Sequence, residues 1–349
     1  MSDNNGQDVF IHLGGQDDNL GDSALRAAYF MAAHGEGRRF HVQLGAPRST
    51  DYNTGLPLTS EHTIYPPDAS WLEASKKTPK SVLLFHAGEV NGASGFPQRQ
   101  NAIQVRRVLE RGGAVIVAGT GLKDPYVVTE DNIHPVLRDA NLVSWRDEPS
   151  RDAAGFGSFA PDWAYSLGTP TADWASADSR PLLAVSLRFD RAWPDESWLQ
   201  AVRALAAQTS TQIVTLAQVA RDAPRAVRLA EKLGGEYIMP PSMSHADLDA
   251  YVRDIYSRSL AVISDRAHGL IIGASEGAYP IGSAATPQKI ARLLAAAGVG
   301  DLVGRYDQLP DFAQQLESKL PSFLGAIDTA RADLADLTQR MDAVMKSVL

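Results

Sequence analysis

The sequence predicts an α/β protein of two Rossmann-like, doubly wound domains in series, closed by a long C-terminal helix. Three observations predict it. Short apolar runs alternate with helix-spaced amphipathic segments, and this happens in two successive sets. A stretch rich in small residues and turn formers, Leu167 through Pro181, separates the sets. From about residue 310 onward the apolar spacing changes to a seven-residue repeat.

In the first set, Val9–Leu13 reads as a strand, and the loop Gly14 to Asp22 leads to a helix over Ser23–Ala33 with Leu25, Ala28, Tyr29 and Ala32 on one face. Further strands are expected at Arg39–Leu44, Ser81–Phe85, Ala114–Ala118 and Leu142–Trp145, with helices near Arg99–Arg111 and Asp131–Asp139. In the second set the strands are Leu182–Leu187, Gln212–Leu216, Glu236–Ile238, Leu260–Ser264 and Tyr279–Gly282. Helices lie near Glu196–Ala207, Pro224–Lys232, His245–Tyr256, Gly269–Ser275 and Gln288–Ala296. Domains are therefore expected at 1–167 and 181–309, with a helical segment at 310–349 and a cleft between facing strand ends. In that segment Pro321 is expected to open a new helix. The apolar series through Leu316, Phe323, Ile327, Leu334, Met341 and Val348 suits either a helix docked along the body or one that joins two copies in a homodimer.

Composition narrows the function classes. A chain of 349 residues that is 44% hydrophobic can build two cores. Its formal charge of −8 and its lack of a long basic run argue against nucleic acid as a partner. The chain has no cysteine, which excludes disulfides, thiolate catalysis and cysteine-bound zinc; no metal is expected. The polar start, Met1 to Gly6, has no signal-peptide character, and no apolar run is long enough to span a membrane. A cytoplasmic protein, peripheral at most to the inner membrane face, is the expectation.

Chemistry concentrates where strands give way to helices, the edge at which open α/β sheets bind ligands. Asp265-Arg266-Ala267-His268-Gly269 follows the Leu260–Ser264 strand and opens a helix. A guanidinium forks onto carboxylate or phosphate, and an imidazole moves protons near neutrality. The plainer alternative is an Arg in a salt bridge and a His capping the helix. Arg146, Arg188 and Lys289 also lie just past strands or at a helix start, so a basic rim with Arg266 is expected. The Gly14–Asp22 loop has neither dinucleotide nor P-loop spacing. Asp22 in it suits a helix N-cap better than a catalyst. His86-Ala87-Gly88-Glu89-Val90-Asn91-Gly92 is a second irregular loop, in which a lone His86 is most simply structural.

Several ordered segments together resemble the polysaccharide pyruvyl transferase family. They are Gly14-Gly15 through Asn19-Leu20-Gly21-Asp22-Ser23-Ala24, Arg146-Asp147-Glu148 with Ser150, Pro161-Asp162-Trp163-Ala164, Ser186-Leu187-Arg188, and Arg266-Ala267-His268-Gly269. The chain departs from the family pattern at Ala87-Gly88-Glu89, where three glycines are common, and at Ala267, where a larger aliphatic is usual. The resemblance implies a GT-B-like fold. It implies transfer of pyruvate from phosphoenolpyruvate, a co-substrate rather than a cofactor, onto sugar hydroxyls of a cell-surface polysaccharide or its precursor, free or lipid-linked, forming a ketal. It implies His268 and Arg266 as catalytic residues, and Arg146, Arg188, Arg266 and Lys289 as donor-binding residues. Asn19, Asp22, Glu89 and Asn91 are then the acceptor-binding set, with the acceptor on the N-terminal domain and the donor on the C-terminal one. Two other classes share the architecture: nucleotide-sugar glycosyltransferases and non-catalytic glycan- or anion-binding relatives.

Overall fold

Two wholly parallel sheets organise the chain. A computed structural model describes residues 6–45 and 51–348; the polar stretch Met1–Asn5, read above for targeting signals, lies outside the described residues. The first sheet contains β1 (Gln7–His12), β2 (Arg38–Gln43), β3 (Thr63–Tyr65), β4 (Val82–Leu84), β5 (Gly88–Val90), β6 (Ala114–Leu122), β7 (Leu142–Trp145) and β8 (Ser158–Phe159). They run in the order β3-β2-β1-β4-β6-β7-β8, with the short β5 paired to the far half of β6. The second sheet contains β9 (Leu182–Ser186), β10 (Gln212–Thr215), β11 (Glu236–Tyr237), β12 (Ser259–Ser264), β13 (Tyr279–Ser283) and β14 (Val303–Gly304), in the order β11-β10-β9-β12-β13-β14. That is the 3-2-1-4-5-6 order of a Rossmann domain. Helices cover both faces of such sheets, so the central strands are buried throughout: every residue of β6, β9 and β12 is inaccessible or nearly so.

The described chain forms two compact units. The first is built from residues up to 17, 25–163 and 333 onward, and the second from 18–24 and 164–332. The turn-rich residues 168–181 fold with the second unit. There the Arg180 guanidinium donates to the carbonyls of Ala175, Tyr256, Ser259 and Glu276, and the Trp174 indole donates to Thr169.

Local differences from the sequence expectation have physical causes. The first helix spans Leu20–Ala33, three residues longer than its apolar periodicity suggests, and the Asn19 side chain accepts the Gly21 N–H in the capping place. Asp22 is thus inside the first turn and not the N-cap. The helix expected over Asp131–Asp139 is two 3₁₀ turns, Glu130–Asn132 and Pro135–Asp139. Pro135 holds the preceding His134 in an extended conformation, which divides them. In β6 a register shift beside β7 at Ala118/Thr120 coincides with a positive φ of 86° at Gly119. A side chain there would strike the Trp163 ring, so the bulge needs glycine.

Pro321 does not start a new helix. Leu309–Lys346 is one helix with Pro321 inside it. Proline removes a backbone donor and crowds the preceding turn. The helix continues because its stripe is buried on both sides of that position: Leu316 at 2%, Phe323 at 5% and Ile327 at 0% exposure. Phe323 stacks on Trp174 at 5.6 Å and meets Tyr279 at 5.0 Å. Further along, Arg38 pairs with Asp342 and Gln7 bonds the Met345 carbonyl. The stripe is closed onto this chain itself, with Met345 buried beside Met341 and Val348. Because Pro321 is exposed, Pro321→Ala is expected to raise stability by about 2–3 kcal/mol. Urea unfolding checks this; an unchanged midpoint would mean that the helix already absorbs the proline without cost.

Candidate functional site

Strands β9 and β12 lie side by side, with Ser186 opposite Ser264. The strand order reverses between them, so their carboxyl ends form the ligand-binding crevice of the second sheet. A cavity of about 150 Å³ opens there, lined by Asn19, Arg188, Arg191, Arg266, His268 and Lys289 among others.

Arg266 follows β12 directly, its backbone N–H bonded to the Ser264 hydroxyl. The side chain is 9% exposed. Its Nε and Nη2 both donate to the fully buried Asp222, the second at 2.8 Å to Oδ1. Asp222 Oδ1 also accepts the Phe189 N–H at 2.9 Å. The salt bridge weighed above for Arg266 is therefore real, and it orients the guanidinium rather than removing it from the cavity wall.

Arg188 ends the β9 loop. Its guanidinium meets Asp190 through two hydrogen bonds of 2.9 and 2.7 Å, and its backbone N–H donates to Asp265 at 2.7 Å. Burial pushes the Asp265 carboxyl above its usual range, against the hydrogen bond from Arg188 and the charge of Arg266. Tyr306 donates to its other oxygen at 3.2 Å. His268 is the second residue of helix Ala267–Ser275, whose capping place is taken by Arg266, so His268 is not the cap. Gly21 lies so close to His268 that a Cβ there would sit 2.2 Å from the His268 Cβ. The Asn19-to-Asp22 segment thus packs on the imidazole, which explains why glycine stands at position 21. Lys289 enters from the first turn of helix Gln288–Ala295.

The first unit has its own reversal point between β1 and β4. A cavity of about 430 Å³ lies at these strand ends, lined by His12, His86, Glu89, Asn91 and others. Arg26 Nη2 sits 2.9 Å from His86 Nε2. A guanidinium can only donate, so His86 is neutral and its proton is on Nδ1. Burial, then the Arg26 charge, holds His86 well below the usual imidazole range. The same two causes lower His12 from 6.5 to about 4. The rings of His12 and His86 are 5.2 Å apart.

This pair makes stability pH-dependent. Unfolded histidines take up protons near pH 6.5, whereas folded His12 stays neutral to about pH 4. The unfolded state binds more protons in that window, so stability is fully present above pH 6.5 and is lost as pH falls toward 4. His12 alone is expected to account for about 3 kcal/mol by pH 4. Urea unfolding of wild type and His12→Asn across this range tests it; parallel pH slopes would remove His12 as the cause.

The sites expected from sequence are thus distributed as follows. Asn19, Arg188, Arg266, His268 and Lys289 gather at the second unit's cavity, together with Arg191, which sequence reasoning missed. Glu89 and Asn91 line the first unit's cavity, with His12 and His86. Asp22, in the first helical turn, lines neither. Arg146 does not join the basic rim. It is 1% exposed within the first unit and pairs with Glu89 at 3.2 Å and with the buried Asp162 at 3.5 Å. Directly after β7 its side chain is enclosed in the core, where two carboxylates compensate its burial. Among the described residues no cluster of three or more His, Asp or Glu is placed to hold a metal, and no helix is long and apolar enough to cross a membrane.

The family profile described as polysaccharide pyruvyl transferase matches residues 19–283. No curated protein matches the sequence. Among solved structures, the fold is similar to Anabaena HepE in complex with UDP and glucose, at 11% identity over 98% of this chain and 100% of that one, with a TM-score of 0.53. It is also similar to the trehalose 6-phosphate synthase of Burkholderia multivorans, at 12% identity over 98% of each chain and a TM-score of 0.51. An O-GlcNAc transferase variant from Thermobaculum terrenum aligns at 15% identity over 99% of this chain and 70% of that one, with a TM-score of 0.50. At these identities the likeness concerns the fold, which is GT-B. With its Rossmann-ordered sheets and the profile match over most of its length, the chain belongs to the polysaccharide pyruvyl transferase family.

Proposed function

We propose that the protein transfers pyruvate from phosphoenolpyruvate onto two hydroxyls of a saccharide, forming a ketal. The observation that carries this reading is the cation-lined cavity at the ends of β9 and β12, where Arg188, Arg191, Arg266 and Lys289 meet His268. Phosphoenolpyruvate presents a carboxylate beside a phosphate, and each charge-assisted hydrogen bond to it contributes roughly 1.5–3 kcal/mol. No cofactor takes part.

In the reaction the enol methylene gains a proton and becomes a methyl group. One sugar hydroxyl adds to the phosphate-bearing carbon, the carbon–oxygen bond to phosphate breaks, and a second hydroxyl closes the ring. Of the two hydroxyl protons, one is balanced by the proton on the methyl group and the other leaves with phosphate. His268 is the group assigned to the proton, and Arg266, held by Asp222, fixes the anion beside it. The first unit, with Glu89 and Asn91, is assigned to the acceptor. A cytoplasmic setting belongs to the same proposal.

Incubation with phosphoenolpyruvate and a panel of oligosaccharides tests it. Phosphate release together with a pyruvate adduct on the sugar is the expected result. Nucleotide release from a nucleotide sugar, with phosphoenolpyruvate inert, overturns it.

A further inference from the structure

The first unit's cavity differs in chemistry from the cationic one. Among the described residues that line it, none is lysine or arginine, and its single carboxylate, Glu89, is tied to Arg146 at 3.2 Å. Its polar groups are mostly amides. Asn91, Gln98 and Asn101 are exposed at its mouth, Gln43 is half-buried, and buried Gln104 is fixed by a 2.7 Å bond to Ser75. Trp71, Phe85 and Phe96 supply an apolar wall, and the Trp71 indole is held by the His41 carbonyl. His12 and His86 are both neutral here, and His12 Nδ1 has no hydrogen-bond partner among the described residues.

An anion entering this space would shed its water beside the Glu89 carboxylate, with no lysine or arginine in the described lining to hydrogen-bond it and the Arg26 guanidinium set behind His86, at a cost of several kcal/mol. A hydroxylated ring meets no such penalty. Amides and a neutral imidazole donate and accept in the directions that hydroxyls need. A cavity that joins an apolar wall to convergent polar groups is a usual form of a small-ligand site.

We propose that the cavity at the carboxyl ends of β1 and β4 binds an uncharged sugar ring, read by His12, Asn91 and Asn101, and discriminates against uronic acids and sugar phosphates. The proposal rests on the pyruvyl-transfer reading only in calling that ring the acceptor.

The test is calorimetry on the full-length protein without phosphoenolpyruvate. The probes are methyl glycosides and short oligomers of glucose, galactose, mannose and N-acetylglucosamine, each neutral hexose set against its uronate. At least one neutral ring is expected to bind, and its uronate about tenfold or more weakly. Asn91→Ala with Asn101→Ala should weaken the neutral ligand by about five- to tenfold with an unchanged melting temperature, since each lost hydrogen bond is modest. His12→Gln should weaken it as well, with His12→Asn as a second variant should the first fail to fold. Equal or tighter uronate binding, failure of every neutral ring to bind, or insensitivity to all these variants overturns the proposal. Phosphate release measured in parallel separates the two readings. Neutral-sugar binding without turnover of phosphoenolpyruvate by any acceptor counts against pyruvyl transfer and leaves the binding site standing. Turnover confined to acidic acceptors does the reverse.

Discussion

Arg266→Ala is expected to lower folding stability by about 3–5 kcal/mol, the cost of breaking a buried ion pair from one side. Asp222 is fully buried, and both its oxygens take hydrogen bonds from Arg266. Without the guanidinium the carboxylate is left, among the described residues, with the Phe189 N–H as its hydrogen-bond donor. The double variant Arg266→Ala with Asp222→Asn should recover much of the loss. Asparagine keeps an acceptor for Phe189 and carries no charge to strand. Urea unfolding of wild type, both single variants and the double variant measures the coupling. A cost under about 1 kcal/mol for Arg266→Ala would contradict the buried pair. The same double variant isolates the anion-binding role, because it separates affinity from stability. Its affinity for phosphoenolpyruvate should fall by roughly ten- to a hundredfold, as for one charged hydrogen bond. Unchanged affinity in the folded double variant would take Arg266 out of the donor site. Arg266→Lys is not expected to restore wild-type behaviour, since an ammonium cannot bridge both Asp222 oxygens.

This pair also shows where sequence reading stops. The fold was legible because its signals are local. Runs such as Leu182–Ser186 and Ser259–Ser264 are buried on both faces of a parallel sheet, so they are continuously apolar, and their bounds agree with the apolar pattern to within a residue or so. The position of Arg266 at a strand end was legible for the same reason. Its partner was not. Asp222 lies 44 residues earlier, in a short 3₁₀ turn before helix Ala223–Leu233. Only the adjacency of β9, β10 and β12 brings such groups together, and no spacing rule encodes that.

Arg146 and His12 are the complementary cases. From sequence, Arg146 resembles the other strand-end cations, yet β7 lies beside β6 in the sheet interior and the side chain is enclosed with Asp162 and Glu89. A charge enclosed in the core and a charge paired at a cavity wall read alike in one dimension, because what distinguishes them is the packing around each. His12 ends an apolar strand and carries no motif, so nothing local marks it. Its significance comes from the parallel pairing of β1 with β4, which brings it beside His86. The C-terminal stripe was legible as an apolar face but not as to what covers it. Pro321 suggested a break, and long-range burial of Leu316, Phe323 and Ile327 outweighs that local preference.

His268→Gln is expected to retain the fold and most of the affinity for phosphoenolpyruvate while losing about 10²–10⁴ in turnover, the usual contribution of a positioned acid–base group. Glutamine offers a hydrogen bond of similar reach but cannot exchange a proton near neutrality. The placement of His268 favours this outcome over a purely structural role. It is one residue inside helix Ala267–Ser275 rather than at its cap, and it lines the same cavity as Arg188, Arg266 and Lys289. Gly21 packs directly on its Cβ, which restricts where the ring can go. The alternative makes a different prediction. If the imidazole serves mainly as packing for the Asn19–Asp22 segment, His268→Gln should lower the melting temperature and leave phosphate release nearly normal. Both quantities can be measured on the same preparation, with donor affinity from calorimetry as the third. A large loss of turnover at unchanged affinity and melting temperature assigns the proton to His268. Wild-type turnover would transfer that role to another group at the cavity, and Asp265 is the first to examine, because burial already raises its carboxyl toward the protonated form.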